Sequence, residues 1–134
     1  GSLVIPTRTL MTASAALLGA LGLTASFLSH EMLAFMGATV ETQSVLIIQV
    51  AGALYLGFAM LNWHTRGFVI GGIYARPLAI GNFMHFAVGA IPLGKVALAT
   101  SSPVLGFIAI AYTVLGMSFA VLLFGRSQAL PDKN

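Results

Sequence analysis

Residues 9–28 read TLMTASAALLGALGLTASFL, a run without a single charged side chain. A helix of about twenty residues rises about 30 Å, which is the thickness of the hydrocarbon core of a membrane. We therefore predict a membrane-spanning helix over residues 9–28. The small residues Ala15 and Gly19, and then Gly22 and Ser26, recur four apart and allow a neighbouring helix to approach closely. We expect that neighbour to be another helix of the same chain rather than a second copy.

Three further apolar runs follow, and they predict spans over residues 43–64, 77–98 and 105–124. Of the 134 residues, 58% are hydrophobic and only 7% are charged, against about 25% charged residues in a typical soluble domain. So few charges cannot cover such a body in water, and its surroundings must be largely lipid. The prediction is an all-α membrane protein, a bundle of four transmembrane helices that forms a single domain over residues 1–134.

The connections between the predicted spans have their own signals. Residues 29–42 contain a short apolar core that ends at Gly37, which indicates an interfacial helix lying on the membrane. Thr39 or Thr42 is then expected to cap the second span. Small polar residues at 99–103 predict a tight turn between the third and fourth spans.

The loop charges predict the topology. One face of the membrane receives all but one of the basic residues, and only Lys95 falls on the other face; the larger set is Arg8, Arg66, Arg76, Arg126 and Lys133. Because positive residues favour the cytoplasmic side, both termini are expected in the cytoplasm. The chain would cross its membrane several times, and we expect that membrane to be the cytoplasmic (inner) membrane of a bacterium.

Several function classes lack support in the sequence. There is no cysteine, so disulfides and thiolate metal sites are excluded, and no His or carboxylate spacing predicts a metal site. The basic residues stand singly, which argues against nucleic acid as a partner. No catalytic signature is present, neither Gly-x-Ser-x-Gly nor His-Glu-x-x-His nor a phosphate-binding loop. Nothing in the sequence therefore selects an enzymatic activity.

Unusual polar residues gather in three segments, NWHTRG at 62–67, GGIYARPL at 71–78 and GNFMHF at 81–86. Asn82 and His85 are three apart and share a face of the third predicted span, inside the membrane. An intramembrane ionisable residue is a candidate functional residue because its burial is costly unless it is partnered. We predict a polar pocket near the cytoplasmic leaflet, with arginines above it. The candidate ligand-binding residues are Asn62, His64, Arg66, Tyr74, Arg76, Asn82 and His85.

Four interpretations of these residues remain open. The structural one has Asn62, Asn82 and His85 bonding to one another and joining the second and third spans. The first functional one is recognition of an amphipathic, lipid-like molecule, whose phosphate or carboxylate the guanidinium groups would hold. The second is a redox protein, with His64 and His85 as haem ligands or His85 bonded to a quinone carbonyl. The third is an accessory subunit, in a homo-oligomer or a larger membrane complex.

The same three segments resemble those of small bacterial membrane proteins of unassigned function. Their four-helix layout is similar to that of DoxX-like proteins. The resemblance covers roughly the second and third predicted spans, and it implies the architecture alone, without an activity or the role of any residue.

Overall fold

The computed structural model describes residues 7–67 and 76–125, and within these ranges the chain is helical with no strand. Its helices, in chain order, are α1 (Thr7–Phe27), α2 (Ser29–Phe35), α3 (Thr42–His64), α4 (Arg76–Thr100) and α5 (Pro103–Ala120), and α5 continues into a π-helical turn at Val121–Gly125. The all-α fold class predicted from the sequence is confirmed.

Four of these helices, α1, α3, α4 and α5 with its π-helical turn, are long and apolar enough to cross a membrane. Their bounds agree with the predicted spans to within a few residues. Many of their large apolar side chains lie exposed on the protein surface, including Ile47, Leu54, Ile91, Leu98, Phe107 and Ile110. Such a surface is suited to lipid, so the chain is a multi-pass membrane protein.

The short helix predicted between the first two spans is present as α2. It ends in a Schellman motif, in which Gly37 has φ +74° and Ala38 N–H donates to the Leu33 carbonyl at 2.9 Å. The expected threonine cap of α3 was wrong. The N-cap residue is Glu41, in extended conformation and without a side-chain capping bond, and Thr42 is already the first helical residue.

By its internal contacts the chain forms two compact units. The first, Met11–Gly67, holds most of α1 together with α2 and α3. The second holds α4 and α5, and its described residues are 7–10 and 76–125.

In the first unit, α1 and α3 run antiparallel and meet at small residues. A Cβ atom added at Gly22 would lie 2.9 Å from the Leu56 amide nitrogen, and one added at Gly52 would lie 2.8 Å from that of Ser26. The two backbones are therefore in direct contact, with no room for a side chain between them. The close helix approach predicted from the four-residue spacing in α1 is confirmed, and the partner is a helix of the same chain.

In the second unit, α4 and α5 are joined by two residues and pack antiparallel through aromatic rings. Ser102 accepts a hydrogen bond from the Leu105 amide at 3.3 Å and caps α5, which confirms the predicted tight turn. Further along the pair, the rings of Phe86 and Phe119 stack with centroids 6.1 Å apart and planes at 7°. Gly116 sits against the backbone of Ala87, where an added Cβ would lie 3.2 Å from the amide nitrogen.

Candidate functional site

Arg66 follows the C-terminal end of α3 and makes two contacts with Trp63. The guanidinium carbon of Arg66 lies 3.7 Å from the centroid of the Trp63 ring, a cation–π contact. Arg66 Nη1 also donates to the Trp63 carbonyl oxygen at 2.5 Å. Both contacts hold the side chain against its own helix, so its charge has a fixed position at the end of the span.

The two residues between Trp63 and Arg66 bond back to the last turns of α3. His64 Nδ1 donates to the Met60 carbonyl at 2.9 Å, and Thr65 Oγ1 donates to the Leu61 carbonyl at 2.6 Å. The Leu61 carbonyl also accepts the backbone N–H of Thr65 at 3.1 Å, so the side-chain bond is a second one to the same oxygen. His64 is exposed, and its contact holds the ring against its own helix.

Asn62 lies fully buried and joins two helices of the first unit. Its Nδ2 donates to Ser14 Oγ on α1 at 3.0 Å, and Ser14 Oγ donates in turn to the Met11 carbonyl at 3.0 Å. An interhelical side-chain hydrogen bond in a membrane protein is typically worth about 0.6 kcal/mol, and at most about 1.7 kcal/mol. Asn62 therefore stabilises the α1–α3 packing. The sequence did not indicate that Ser14 would be its partner.

Asn82 and His85 lie on one face of α4, as the sequence predicted. Their hydrogen bonds go to different elements. Asn82 is fully buried, and its Nδ2 donates to the Leu78 carbonyl one turn earlier at 3.0 Å. His85 Nε2 lies 2.8 Å from the hydroxyl oxygen of Tyr112 on α5, a hydrogen bond between the two helices. His85 is half-buried in its surroundings, whereas Tyr112 is buried.

Tyr112 is the residue at this site that sequence reasoning missed. It sits in the middle of the fourth apolar run, where Thr113 is its one polar neighbour in the sequence. One signal was available, because a tyrosine hydroxyl inside a membrane span needs a hydrogen-bond partner. Choosing His85 as that partner requires the register of α4 against α5.

The other predicted site residues do not form one cluster within either unit. Arg76 is the first residue of α4 and is exposed. Tyr74 lies outside the described residues. Asn62 belongs to the first unit and Asn82 and His85 to the second, so a shared pocket of the three stays a prediction. Each of them has a hydrogen-bond partner within its own unit.

Polar satisfaction and metal binding can be assessed over residues 7–67 and 76–125. There, no buried side-chain nitrogen or oxygen lacks a hydrogen-bond partner. The same residues contain no group of three or more His, Cys, Asp or Glu side chains that could hold a metal ion. The polar residues of these spans are thus integrated into the packing.

Comparison of the chain with protein families, with curated proteins and with solved structures gives no match. The resemblance to DoxX-like proteins therefore stays a prediction from the sequence. The class that the fold defines is a small all-α, multi-pass membrane protein, and its activity has to be argued from its own residues.

Proposed function

We propose that this protein resides in the bacterial cytoplasmic membrane with both termini inside and binds an amphipathic, anionic lipid-like ligand. The binding determinant is the Trp63–Arg66 pair at the end of α3. Arg76 at the start of α4 is a second cation that the predicted topology assigns to the same side. A role as an accessory subunit, as a homo-oligomer or within a larger complex, is compatible with lipid binding.

The observation that carries the proposal is the placement of the Arg66 guanidinium 3.7 Å from the Trp63 ring centroid. Tryptophan favours the boundary between headgroups and hydrocarbon, so this pair lies at the level of lipid phosphates. A guanidinium has five N–H donors. Its bond to the Trp63 carbonyl occupies one donor, and the others can bind a phosphate or carboxylate. Since the side chain is already held in place, binding loses less side-chain entropy.

Helix geometry separates Arg76 from His85 within α4. His85 lies nine residues after Arg76, which corresponds to a rise of about 13 Å and a rotation of about 900°, so the two side chains leave opposite faces of the helix. We do not expect one headgroup to contact both residues, and we assign the anionic group of the ligand to the arginines alone.

The test is native mass spectrometry of protein released from membranes in a mild detergent, comparing the wild type with Arg66→Gln and Arg66→Lys. We expect retained anionic phospholipid to fall severalfold in Arg66→Gln. Arg66→Lys should lie between the two, because lysine keeps the charge but loses the stacked planar fork.

Arg8→Gln is the matched control, since Arg8 is an exposed arginine at the start of α1 and the substitution removes the same charge. It should leave lipid retention unchanged. Equal losses in Arg8→Gln and Arg66→Gln would mean that net charge alone governs retention, and the specific site would be wrong. The topology is tested by fusing the C-terminus to a reporter enzyme that works only in the periplasm. Activity of that fusion would overturn the predicted topology.

A haem- or quinone-binding redox protein is the second candidate, and the position of His85 within the apolar helix α4 favours its quinone form. An imidazole held inside an apolar span can bond to a quinone carbonyl. The purified protein would then contain quinone in an organic extract, or show a Soret band in its absorbance spectrum. Loss of that signal in His85→Gln with the fold retained would support the candidate, whereas a colourless wild type without extractable quinone would remove it.

A further inference from the structure

The short helix α2 packs against α3 within the first unit. Ser29 and Leu33, four residues apart on one face of α2, are both buried. Gln49 Nε2 on α3 donates to Ser29 Oγ at 3.4 Å. Gln49 comes seven residues after Thr42, the first residue of α3. The start of α2 therefore lies about 10 Å along α3 from the beginning of that helix.

The antiparallel register of α1 on α3 continues into α2. Three contacts mark it, in order towards the start of α3: Asn62 with Ser14, Gly52 with Ser26, and Gln49 with Ser29. Over these contacts the residue numbers rise along α1 and α2 about as fast as they fall along α3. Helix α1 ends at Phe27, between the second and the third contact. It therefore stops about 10 to 15 Å short of the first residue of α3.

This register fixes the depth of α2 relative to the membrane. The 23 residues of α3 rise about 33 Å, close to the thickness of the hydrocarbon core. Trp63 favours one boundary of that core, so the other boundary lies near Thr42. We call the leaflet on that side the distal leaflet. Since α1 ends about 10 Å or more below its boundary, α2 and its connection to α3 must cross the rest of that leaflet.

The exposed side chains at both ends of α2 suit this position. Phe27 and Phe35 are 76% and 65% exposed, and Leu28 and Met36 are also exposed. On a helix lying at the membrane surface, as the sequence predicts for α2, only one face can reach the hydrocarbon. Within the distal leaflet, all four side chains can contact acyl chains.

The two ionisable residues of α2, His30 and Glu31, are exposed as well. By the register with α3 they lie about 6 to 8 Å below the level of Thr42. Ionisable residues inside a membrane are accommodated by snorkelling, local thinning of the bilayer and water. We therefore expect the headgroups of the distal leaflet to dip towards this part of α2.

We propose that α2 is embedded in the distal leaflet and that its exposed apolar surface binds phospholipid acyl chains there. That surface consists of Phe27, Leu28, Phe35 and Met36. The membrane-embedded part of the first span then runs from about residue 14 to residue 35, interrupted at Leu28, with a rise of about 31 Å. This surface is on the opposite leaflet from Trp63 and Arg66, and it takes acyl chains rather than an anionic group.

The test is depth measurement by spin labelling in liposomes of phosphatidylethanolamine and phosphatidylglycerol. The chain has no cysteine, so each single-cysteine variant carries one nitroxide. Collisions with oxygen, which concentrates in hydrocarbon, and with a water-soluble nickel chelate report the depth of the label. We expect labels at Phe27→Cys and Val50→Cys, which the register places at one level, to have the same depth. A label at Ala34→Cys should be about 10 Å shallower.

Thr42→Cys and Leu54→Cys are the reference variants, because both residues are exposed on α3 and lie near the distal boundary and deep in the core. A Phe27→Cys label at the depth of Thr42→Cys would put α2 on the membrane surface and overturn the proposal. Equal depths at Phe27→Cys and Ala34→Cys would contradict a crossing of the leaflet by α2.

Two further readings separate lipid from other occupants and from the headgroup site. Low collision rates of the Phe27→Cys label with both reagents would mean that protein covers this surface, and acyl-chain binding would be wrong. Adding Arg66→Gln to Phe27→Cys should leave the depth of the label unchanged, since the two sites are on opposite leaflets. Failure of the arginine site is thereby distinguishable from failure of this proposal.

Discussion

The two units of the chain differ in what fills the space between their helices. In Met11–Gly67, glycine and serine bring the backbones of α1 and α3 into direct contact. In the α4–α5 unit, aromatic rings fill much of the space and Gly89 accommodates a ring, while Gly116 meets the backbone of Ala87. Since lipid is as apolar as leucine, association of membrane helices depends on close packing and interhelical hydrogen bonds. In both units, side-chain hydrogen bonds also join neighbouring helices.

The largest expected effect is that of Gly52→Ala in the first unit. The new Cβ would lie 2.5 Å from Ser26 Oγ and 2.8 Å from the Ser26 amide nitrogen, and a backbone atom cannot move aside without displacing the helix. We expect a loss of about 3 kcal/mol in the free energy of unfolding. The measurement is unfolding by sodium dodecyl sulfate, followed by circular dichroism.

Gly57→Ala is the control for this experiment, because Gly57 lies on the same helix and an added Cβ meets nothing within 4 Å. It should be neutral or slightly stabilising, as alanine is the better helix former. A loss in Gly52→Ala no larger than in Gly57→Ala would show that the α1–α3 backbone contact does not limit stability.

Gly89→Ala should have the next largest effect, in the second unit. Its Cβ would lie 2.9 Å from Tyr112 Cε2 and 3.1 Å from Cδ2, so it would meet a ring rather than a backbone atom. A ring can tilt, but Phe86 packs against it, so we expect a loss of about 2 kcal/mol in the same unfolding assay. Gly94→Ala on the same helix is the control, because an added Cβ there meets nothing within 4 Å. A larger loss of unfolding free energy in Gly89→Ala than in Gly52→Ala would show that the packing around the Tyr112 ring yields less than the α1–α3 backbone contact, which is the opposite of our expectation.

Double-mutant cycles can compare two interhelical hydrogen bonds directly, one from each unit. One cycle combines Ser14→Ala with Asn62→Ala, and the other combines His85→Ala with Tyr112→Phe. We expect coupling energies of about 1 kcal/mol in each, within the range measured in membrane proteins. A coupling near zero for Ser14 and Asn62 would mean that their hydrogen bond contributes nothing beyond packing.

The smallest effects concern the turns. Gly37, after α2, has φ +74°, and Ser101, between α4 and α5, has φ +54°. Both are in the left-handed region, which favours glycine. Gly37→Ala should destabilise the first unit by about 1 kcal/mol, and Ser101→Gly should stabilise the second by about 0.5 kcal/mol. Thermal unfolding in detergent measures both, and equal signs for the two substitutions would contradict this explanation.

The sequence predicted the helices well because their signal is local. Long uncharged runs report a lipid environment residue by residue, so the four spans, the short helix before Gly37 and the turn near Ser101 were all predicted. The cap of α3 was not, because Glu41 adopts the capping position by its backbone conformation alone. Small residues in α1 indicated a close approach, yet the pattern does not name α3 as the partner.

The candidate site shows the same division. The unusual residues of 62–86 were visible in the sequence, including Asn62 and His85. Their bonds were not, because Ser14 is 48 residues from Asn62 and Tyr112 is 27 residues from His85. His64 was predicted as a ligand candidate and stays one; its contact with the Met60 carbonyl was not predicted. The arrangement of Arg66 on Trp63 is local, but several rotamers of a long side chain are compatible with the same sequence.

By itself the sequence determined that this chain is an all-α, multi-pass membrane protein, because hydrophobicity and helix length match the bilayer without reference to any other residue. Only the tertiary structure decided what its polar groups do. In an environment without water every such group must find a partner, and which partner lies within 3 Å depends on the register of one helix against another. That register set Asn62 on Ser14 and His85 on Tyr112, and it gave these unusual residues defined partners within their own units.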